Sequence, residues 1–251
     1  MTGIAARARY DRIGRGYRER RRADPRIERQ IRTALGDAAT VVNIGAGAGS
    51  YEPTDRFVVA VEPSETMLAQ RPLGAAPVVR GVAEALPLPD GSFDASLATF
   101  TVHHWSDVRA GLAEMRRVAR RHVVLTFDYE ICGEFWAWRD YFPDTTEIEA
   151  ARAPLVEVIA SSLDAGRVEV VPVPWDCTDG FGAAYWRRPE AYLDPTVRAS
   201  ISSLAEMAPA RIADGVERLR ADLESGAWAR RNAELLTLDE ADFGYRLIVA
   251  G

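Results

Sequence analysis

The sequence predicts an α/β fold with a seven-stranded, mainly parallel sheet, an antiparallel C-terminal strand and a helical insertion before that strand. Between residues 41 and 128, short β-branched runs alternate with helical patterns, which is typical of parallel strands joined by right-handed crossovers. A helical block over residues 182–237 comes next, and an apolar run over residues 243–250 ends the pattern. The 251 residues, 47% of them hydrophobic, are enough for a single domain.

The N-terminal third predicts two helices, over residues 5–22 and 24–36, followed by strands. Asp24 is a good N-cap for the second helix, Pro25 suits its first position, and Gly36 ends it. Apolar residues recur at helical spacing over residues 107–120. The strand candidates in this part of the chain are residues 41–44, 57–62, 77–80, 93–100 and 122–128.

After residue 128 the pattern changes to an aromatic stretch, a helix near residues 146–163 and a strand over residues 168–175. We expect the last strand, residues 243–250, to lie antiparallel beside residues 168–175. The chain shows no internal repeat and no low-complexity linker. Helices inserted between two strands of one sheet are therefore a better interpretation than a separate C-terminal domain.

The composition excludes several classes of protein. All 31 basic residues are arginine, so a P-loop lysine and a Schiff-base lysine are both absent. The two cysteines and three histidines lack metal-site spacing, so no metal is predicted. Residues 1–32 carry a net charge of +7, but the whole chain carries −6, which argues against nucleic acid as a partner. Without an apolar run of about 18 residues or a signal segment, we expect a cytoplasmic protein away from membranes.

A glycine-rich loop follows the first predicted strand in the segment VVNIGAGAGSYE. Gly45, Gly47 and Gly49 allow the backbone to turn tightly and to approach a ligand closely. The next strand ends at Glu62, whose carboxylate can accept hydrogen bonds from both hydroxyls of an adenosine ribose. Together these features predict a nucleoside site at the carboxyl edge of the sheet.

The same loop distinguishes between two kinds of nucleoside. A dinucleotide fingerprint has Gly or Ala at its third position and rests the pyrophosphate on a substantial helix, whereas this chain has Ser50 there. Residues 45–56 form a short connection with Pro53 in its middle, so any helix can be little more than one turn. A nucleoside that carries a zwitterionic amino-acid tail therefore fits such a loop better than a dinucleotide with its pyrophosphate.

Four stretches, in order, resemble class I S-adenosylmethionine-dependent methyltransferases, of the group similar to the ubiquinone/menaquinone biosynthesis methyltransferases (methyltransferase type 11). They are VVNIGAGAGSYE, VAVEPSETML, GVAEALPLPDGSFD and ATFTVHHWSD, within residues 38–128. The resemblance implies a Rossmann-like fold and S-adenosylmethionine as cofactor. It also implies N-terminal lid helices over residues 1–36, a cofactor-binding core over residues 37–130 and a substrate-side region over residues 131–251, all in one domain.

The resemblance also implies roles for individual residues. Asn43 replaces a common acidic residue below the loop, and Val82 replaces a polar side chain that often binds the adenine amino group. Arg21 is implied as a partner of the methionine carboxylate, and Tyr17 as part of a lid. The implied cofactor contacts are Gly45, Ala46, Gly47, Gly49 and Thr99 at the methionine part, Glu62 at the ribose, and Pro63, Ser64, Met67, Val82 and Ala83 at the adenine.

Methyl transfer from a sulfonium needs alignment and exclusion of water more than it needs activation of the donor. If the acceptor is a hydroxyl or a protonated amine, His103 is our candidate general base, because histidine titrates near neutrality. A strand-like backbone there would let only one of His103 and His104 reach the site. Aromatic side chains that could roof an acceptor pocket are Phe135, Trp136, Trp138, Tyr141, Phe142, Trp175, Tyr185 and Trp186.

The predicted function is methyl transfer from S-adenosylmethionine to a small-molecule acceptor, aromatic or apolar in character. The acceptor atom can be O, N or C, and the oligomeric state is left open. One alternative is an NAD(P)-dependent oxidoreductase, which Ser50 and the short connection disfavour. A second alternative is a protein that binds S-adenosylmethionine without transferring methyl.

Overall fold

A computed structural model describes residues 21–251, and the fold is a seven-stranded sheet covered by helices. The strands are β1 (Thr40–Ile44), β2 (Phe57–Val61), β3 (Val78–Val79), β4 (Phe93–Thr99), β5 (Ala119–Phe127), β6 (Arg167–Val170), β7 (Val173–Pro174), β8 (Glu240–Ala241) and β9 (Tyr245–Ala250). The α-helices are α1 (Pro25–Leu35), α2 (Glu65–Leu68), α3 (Val108–Val118), α4 (Tyr129–Gly133), α5 (Asp144–Ala150), α6 (Val156–Ser162), α7 (Pro195–Ser200), α8 (Ser202–Glu206), α9 (Pro209–Glu224) and α10 (Ala227–Arg231).

The sheet has the strand order β3-β2-β1-β4-β5-β9-β6. β1 pairs in parallel with both β2 and β4, and β9 pairs antiparallel with both β5 and β6. The predicted mainly parallel sheet with an antiparallel last strand is therefore confirmed. Because the chain leaves β1 in one direction and returns at β4 in the other, a crevice opens outside the carboxyl ends of these two strands.

The two faces of the sheet are buried by different layers, as alternation along the strands requires. Val41 and Leu97 lie in a core cluster with α1 and the aromatic residues of the C-terminal half. Val42 and Ala98, their direct neighbours in sequence, belong to a second cluster with residues of α3 and α6. Apolar side chains therefore predominate on both faces of the central strands.

Helix α1 begins where the sequence predicts. Asp24 caps it by accepting a hydrogen bond from the Arg26 N–H, Pro25 occupies the first turn, and the helix ends before Gly36. The connection between β1 and β2 contains turns and no helix, in line with the short connection expected there. The predicted helix over residues 5–22 lies almost wholly outside the described residues.

Three predictions about the C-terminal half are wrong in detail, and proline explains the first two. The helix near residues 146–163 is two helices, α5 and α6, separated by a loop that contains Pro154. The strand over residues 168–175 breaks at Pro172: β6 joins the main sheet, and β7 pairs with β8 in a separate two-stranded sheet. The block over residues 182–237 begins with turns, and its first α-helix starts only at Pro195.

His122 is a buried polar residue in the middle of β5. Its Nδ1 lies 2.9 Å from Ser96 Oγ on β4, and burial, with a contribution from Arg116, lowers its pKa from 6.5 to about 4. The unfolded chain therefore binds this proton more readily than the folded chain, so stability is lost as the pH falls from 6.5 towards 4. We expect urea denaturation to show that the free energy of unfolding falls more steeply between pH 6.5 and about 4 for the wild type than for His122→Asn. The same pH dependence in both proteins would contradict the lowered pKa of His122.

Within residues 21–251, no helix is both long and apolar enough to cross a membrane. The described part of the chain likewise holds no group of three or more His, Cys, Asp or Glu side chains that could bind a metal ion.

Candidate active site

The glycine loop turns sharply at the end of β1. Gly45 and Gly47 have φ values of 66° and 53°, and the N–H groups of Gly45 and Ala46 donate to the Val61 carbonyl of β2 at 2.9 and 3.1 Å. A Cβ atom at Gly45 would lie 2.0 Å from Thr101 Oγ1. The loop can therefore follow this path only with glycine at position 45, which brings bare backbone to the edge of the sheet.

Glu62 follows β2 and lies beside this loop. Its Oε2 accepts a hydrogen bond from the Gly47 N–H, and its Oε1 accepts one from the Ser64 N–H, both at 2.8 Å. The residue is only 5% exposed, and burial raises its pKa despite these two bonds. Each carboxylate oxygen keeps a second lone pair, so the group is held in place and can still accept two hydroxyl donors.

A cavity of about 200 Å³, here named the glycine-loop cavity, opens between the glycine loop and Glu62. Its lining contains nearly all of the side chains predicted to contact the cofactor. Gly49 is an exception, because it lies on a neighbouring open cleft with Glu52 and Arg71, and Tyr17 lies outside the described residues. The predicted residues that line the cavity are Arg21, Gly45, Ala46, Gly47, Glu62, Pro63, Ser64, Met67, Val82, Ala83 and Thr99.

A second cavity, of about 80 Å³, adjoins the first and is named the aromatic cavity. Arg21, Phe100 and His104 line both cavities, so these three side chains lie at the junction. The remaining lining of the aromatic cavity is His103, Phe127, Cys132, Trp138, Glu149, Phe181, Gly182, Ser200, Ile201, Ser202, Ser203 and Tyr245. A ligand in the first cavity and a mostly apolar ligand in the second would therefore meet at the carboxyl end of β4.

Phe100 stands at this junction in an unusual backbone conformation. Its φ is 51°, a value that residues with a side chain rarely adopt, and its N–H donates to the Leu125 carbonyl at 2.8 Å. Its ring centroid lies 5.3 Å from that of Phe181 and 5.7 Å from that of Tyr245. Strained conformations of this kind concentrate at functional sites. The sequence analysis missed Phe100, although it directly follows Thr99.

The histidine pair departs from the expected geometry. The backbone at residues 102–104 is a 3-10 helix and not strand-like, so both His103 and His104 line the aromatic cavity. Their ring centroids lie 3.9 Å apart, and His103 is buried. The strand-like backbone that would have let only one of them reach the site is therefore not present, and a helical turn does not send neighbouring side chains to opposite faces.

Arg21 is connected to the C-terminal half of the chain through a buried carboxylate. The Arg21 Nε donates to Asp179 Oδ1 at 2.6 Å, and the Tyr51 hydroxyl donates to Asp179 Oδ2 at 3.0 Å. Asp179 is fully buried, and burial raises the pKa of Tyr51 well above its usual value. Next to this pair, the carboxylate of Asp24 accepts a hydrogen bond from the Thr178 N–H. The segments at residues 21–26 and 176–179 are thereby held together.

Most of the aromatic side chains proposed as a roof belong to the core instead. Trp138 alone among them lines the aromatic cavity, and Trp175 is 41% exposed to solvent. The reason is mutual packing: the Trp136 ring lies edge-on to Tyr192 and to Trp228 at centroid distances of 5.5 and 5.2 Å. The actual aromatic lining comes from residues that lie far apart in the sequence.

Acidic side chains lie near both positions, Asn43 and Val82, at which this chain departs from the family pattern. Asn43 Nδ2 donates to Glu52 Oε1 at 3.2 Å, and Glu52 is paired with Arg71 at 2.8 Å, so an acidic group of the loop lies beside position 43. Near the exposed Val82, Glu84 lines the glycine-loop cavity and accepts hydrogen bonds from Ser106. Glu84 and Trp105, which also lines this cavity, were missed by the sequence analysis.

This fold and the position of the glycine-loop cavity define an α/β protein with a nucleoside-type cavity at the switch point of its sheet, and a second cavity adjoins it. Residues 42–127 match the family model described as a methyltransferase domain. The chain is also similar to a solved structure from Anabaena variabilis, assigned as a methyltransferase of an antibiotic biosynthesis pathway. The two are 38% identical with a TM-score of 0.83, over 92% of this chain and 98% of the other.

The chain therefore belongs to the class I S-adenosylmethionine-dependent methyltransferases, and its cofactor is S-adenosylmethionine. An uncharacterized methyltransferase of Bacillus subtilis, YcgJ, is 32% identical over 92 residues. That match covers 32% of this chain and 36% of YcgJ, so the chain spans about a third of this curated relative. Geranyl diphosphate C-methyltransferase from Streptomyces coelicolor A3(2) shares the fold, at 14% identity and a TM-score of 0.51 over 89% of this chain and 74% of the other.

Proposed function

We propose that this protein transfers a methyl group from S-adenosylmethionine to a small organic acceptor with an apolar or aromatic body. The observation that carries this proposal is the junction of the two cavities at Arg21, Phe100 and His104. Supporting it, one cavity has the glycine loop and Glu62 in its lining, and the other has five aromatic rings. The junction is where a donor methyl and an acceptor nucleophile would meet.

In this proposal the residues around the glycine-loop cavity hold the cofactor. Glu62 accepts hydrogen bonds from the two ribose hydroxyls, and the backbone at Gly45 and Gly47 receives the methionine part. The bound cofactor would supply a sulfonium methyl for direct transfer to the acceptor, and its sulfur would keep the electron pair of the broken C–S bond. Phe100 and the rings behind it exclude water and align the acceptor with that methyl.

His103 is the proposed proton acceptor when the nucleophile is a hydroxyl or a protonated amine. Its side chain lines the aromatic cavity, and His104 lies against it. A neutral imidazole is suited to take the proton that such an acceptor loses. If the nucleophile is instead a carbon that carries no acidic proton before the transfer, His103 takes no part in the bond-forming step.

The proposed organisation assigns the cofactor to residues 37–130 and the acceptor to residues 131–251, with residues 1–36 as a lid. Most of the lining of the glycine-loop cavity comes from the first range, whereas most of the aromatic cavity comes from Phe127 and later residues. We also propose a cytoplasmic location. Both cysteines, Cys132 and Cys177, are buried free thiols, which is the usual state in a reducing compartment.

The decisive experiment compares cofactor products in a calorimeter and then measures turnover. We expect S-adenosylhomocysteine to bind and NADH not to bind, and we expect release of S-adenosylhomocysteine with members of a panel of phenols, amines and acids. Binding of NADH alone would identify an oxidoreductase. Binding of S-adenosylhomocysteine without turnover of any acceptor in the panel would favour the non-catalytic alternative.

The aromatic cavity can be tested separately by filling it. Gly182 lines this cavity and not the other, and a Cβ there would lie 3.0 Å from the Trp138 ring. We expect Gly182→Val to lower kcat/KM for the acceptor by about 100-fold, since the added methyls occupy the acceptor's space, and to leave the affinity for S-adenosylhomocysteine unchanged. Gly166→Val is the control, because a Cβ at Gly166 meets nothing within 4 Å. Unchanged kcat/KM in Gly182→Val would contradict the assignment.

A further inference from the structure

The aromatic cavity contains one carboxylate among its described lining residues, that of Glu149 in helix α5. The side chain is 15% exposed. Glu149 Oε2 is buried and has no hydrogen-bond partner among the described residues, and its nearest cation is Arg152, whose Nε lies 3.4 Å away. Burial raises the pKa of this carboxyl above its usual value, although Arg152 and Ser203 act in the opposite direction. A buried carboxylate with so little compensation gains from a positively charged partner.

Arg152 does not fully neutralise Glu149, because it is shared with a second carboxylate. Its Nη1 donates to Glu206 Oε1 at 3.0 Å and to Oε2 at 3.2 Å, both shorter than its contacts with Glu149. Among the described residues, one guanidinium is thus shared by two carboxylates at this end of the cavity. At the other end, the charge of Arg21 is balanced by Asp179. In the described lining, Glu149 thus has an oxygen without a hydrogen bond, whereas Arg21 at the junction is paired with a carboxylate.

The rest of the lining favours a cation with an apolar body. The same space is lined by four aromatic side chains, those of Phe127, Trp138, Phe181 and Tyr245. The faces of aromatic rings attract ammonium groups. Two other polar groups of the lining already have partners: the Ser200 hydroxyl donates to the Val197 carbonyl, and the Tyr245 hydroxyl accepts from the Ala183 N–H. Glu149 is thus the group in this lining best suited to fix the orientation of an acceptor.

We propose that the methyl acceptor carries an ammonium group that binds at Glu149, while its apolar body lies among the rings and its nucleophile faces Phe100 and His104. The inference rests on the proposed function, since it names the substrate class for the aromatic cavity. The ammonium group is an anchor and not the methylated atom, because Glu149 does not line the glycine-loop cavity. Acceptors of this class have a nucleophile at one end and a cationic amine at the other.

The test uses pairs of probes that differ only in the amine: tyramine against 4-ethylphenol, and tryptamine against 3-ethylindole. Each is titrated calorimetrically into the protein saturated with S-adenosylhomocysteine. We expect at least one amine to bind about tenfold more tightly than its neutral partner, as a charge-assisted hydrogen bond to a buried carboxylate allows. In Glu149→Gln this preference should disappear, while the affinity for S-adenosylhomocysteine and for the neutral probes stays the same.

Glu147→Gln is the matched control, because Glu147 lies exposed on the same helix and outside both cavities. It should keep the preference for amines. If Glu149→Gln does not fold, the comparison of the paired probes on the wild type still tests whether the aromatic cavity prefers an amine. Equal binding of both members of each pair, or no binding of either amine, overturns the inference and leaves the proposed function standing. Failure of the wild type to bind S-adenosylhomocysteine overturns the proposed function itself.

Discussion

Glu62→Gln should lower the affinity for S-adenosylhomocysteine by about 100-fold in a calorimetric titration. The physical reason lies in the two backbone N–H groups, of Gly47 and Ser64, that donate to opposite oxygens of the carboxylate. A glutamine has only one oxygen, so its NH₂ group must face one of these donors. The substitution therefore misplaces the side chain, and it also removes one of the two acceptors available to the ribose.

The control for Glu62→Gln is Glu217→Gln, an isosteric change on the exposed side of helix α9. Its affinity for S-adenosylhomocysteine should equal that of the wild type. An affinity of Glu62→Gln within threefold of the wild type would show that this carboxylate does not hold the ribose, and the cofactor site would have to be reassigned.

Gly45→Ala should lower the free energy of unfolding by about 3 kcal/mol and also abolish cofactor binding. Two costs combine at this position. The backbone φ of 66° is strained for alanine, and the new Cβ would lie 2.0 Å from Thr101 Oγ1 and 2.9 Å from its Cβ. Relief of this clash requires Thr101 or the glycine loop to move, and both line the glycine-loop cavity. Urea denaturation measures the first effect, and calorimetry measures the second.

Gly91→Ala separates the two costs. Gly91 has a similar φ of 58°, but a Cβ there meets nothing within 4 Å, so only the backbone strain of about 1 kcal/mol applies. We expect Gly91→Ala to bind the cofactor normally. If both variants lost the same amount of stability, the clash with Thr101 would not be the cause, and the close approach at the glycine loop would be refuted.

The parallel half of the fold could be predicted because each signal there is local. Short β-branched runs between helical segments place β1, β2 and β4, and the capping residues Asp24 and Asp107 begin their helices within one or two residues of the expected positions. The C-terminal half was predicted less accurately. Prolines at positions 154 and 172 interrupt runs whose apolar periodicity continues through them, and periodicity alone does not show which side of a proline joins the sheet.

The two cavities also differ in how well their lining residues could be predicted from the sequence. The glycine-loop cavity is built largely from four short stretches, each at or just after the end of a strand, so most of its residues could be named from motifs. The aromatic cavity combines Phe100, Glu149, Phe181 and Tyr245, which lie in four distant segments. No spacing rule connects such residues, because only the packing of the helical insertion against the sheet brings them together. Sequence reasoning therefore selected aromatic residues that pack with one another in the core.

The two cavities share three lining residues, Arg21, Phe100 and His104. This shared lining limits how the acceptor specificity of the enzyme can diverge in evolution. A substitution at any of these positions changes the surroundings of both ligands at once. A lineage that shifts to a new acceptor therefore cannot alter these three residues without also affecting the binding of the methyl donor. A change of acceptor specificity disturbs the cofactor site least at residues that line only the aromatic cavity, such as Glu149, Gly182 and Ser200–Ser203.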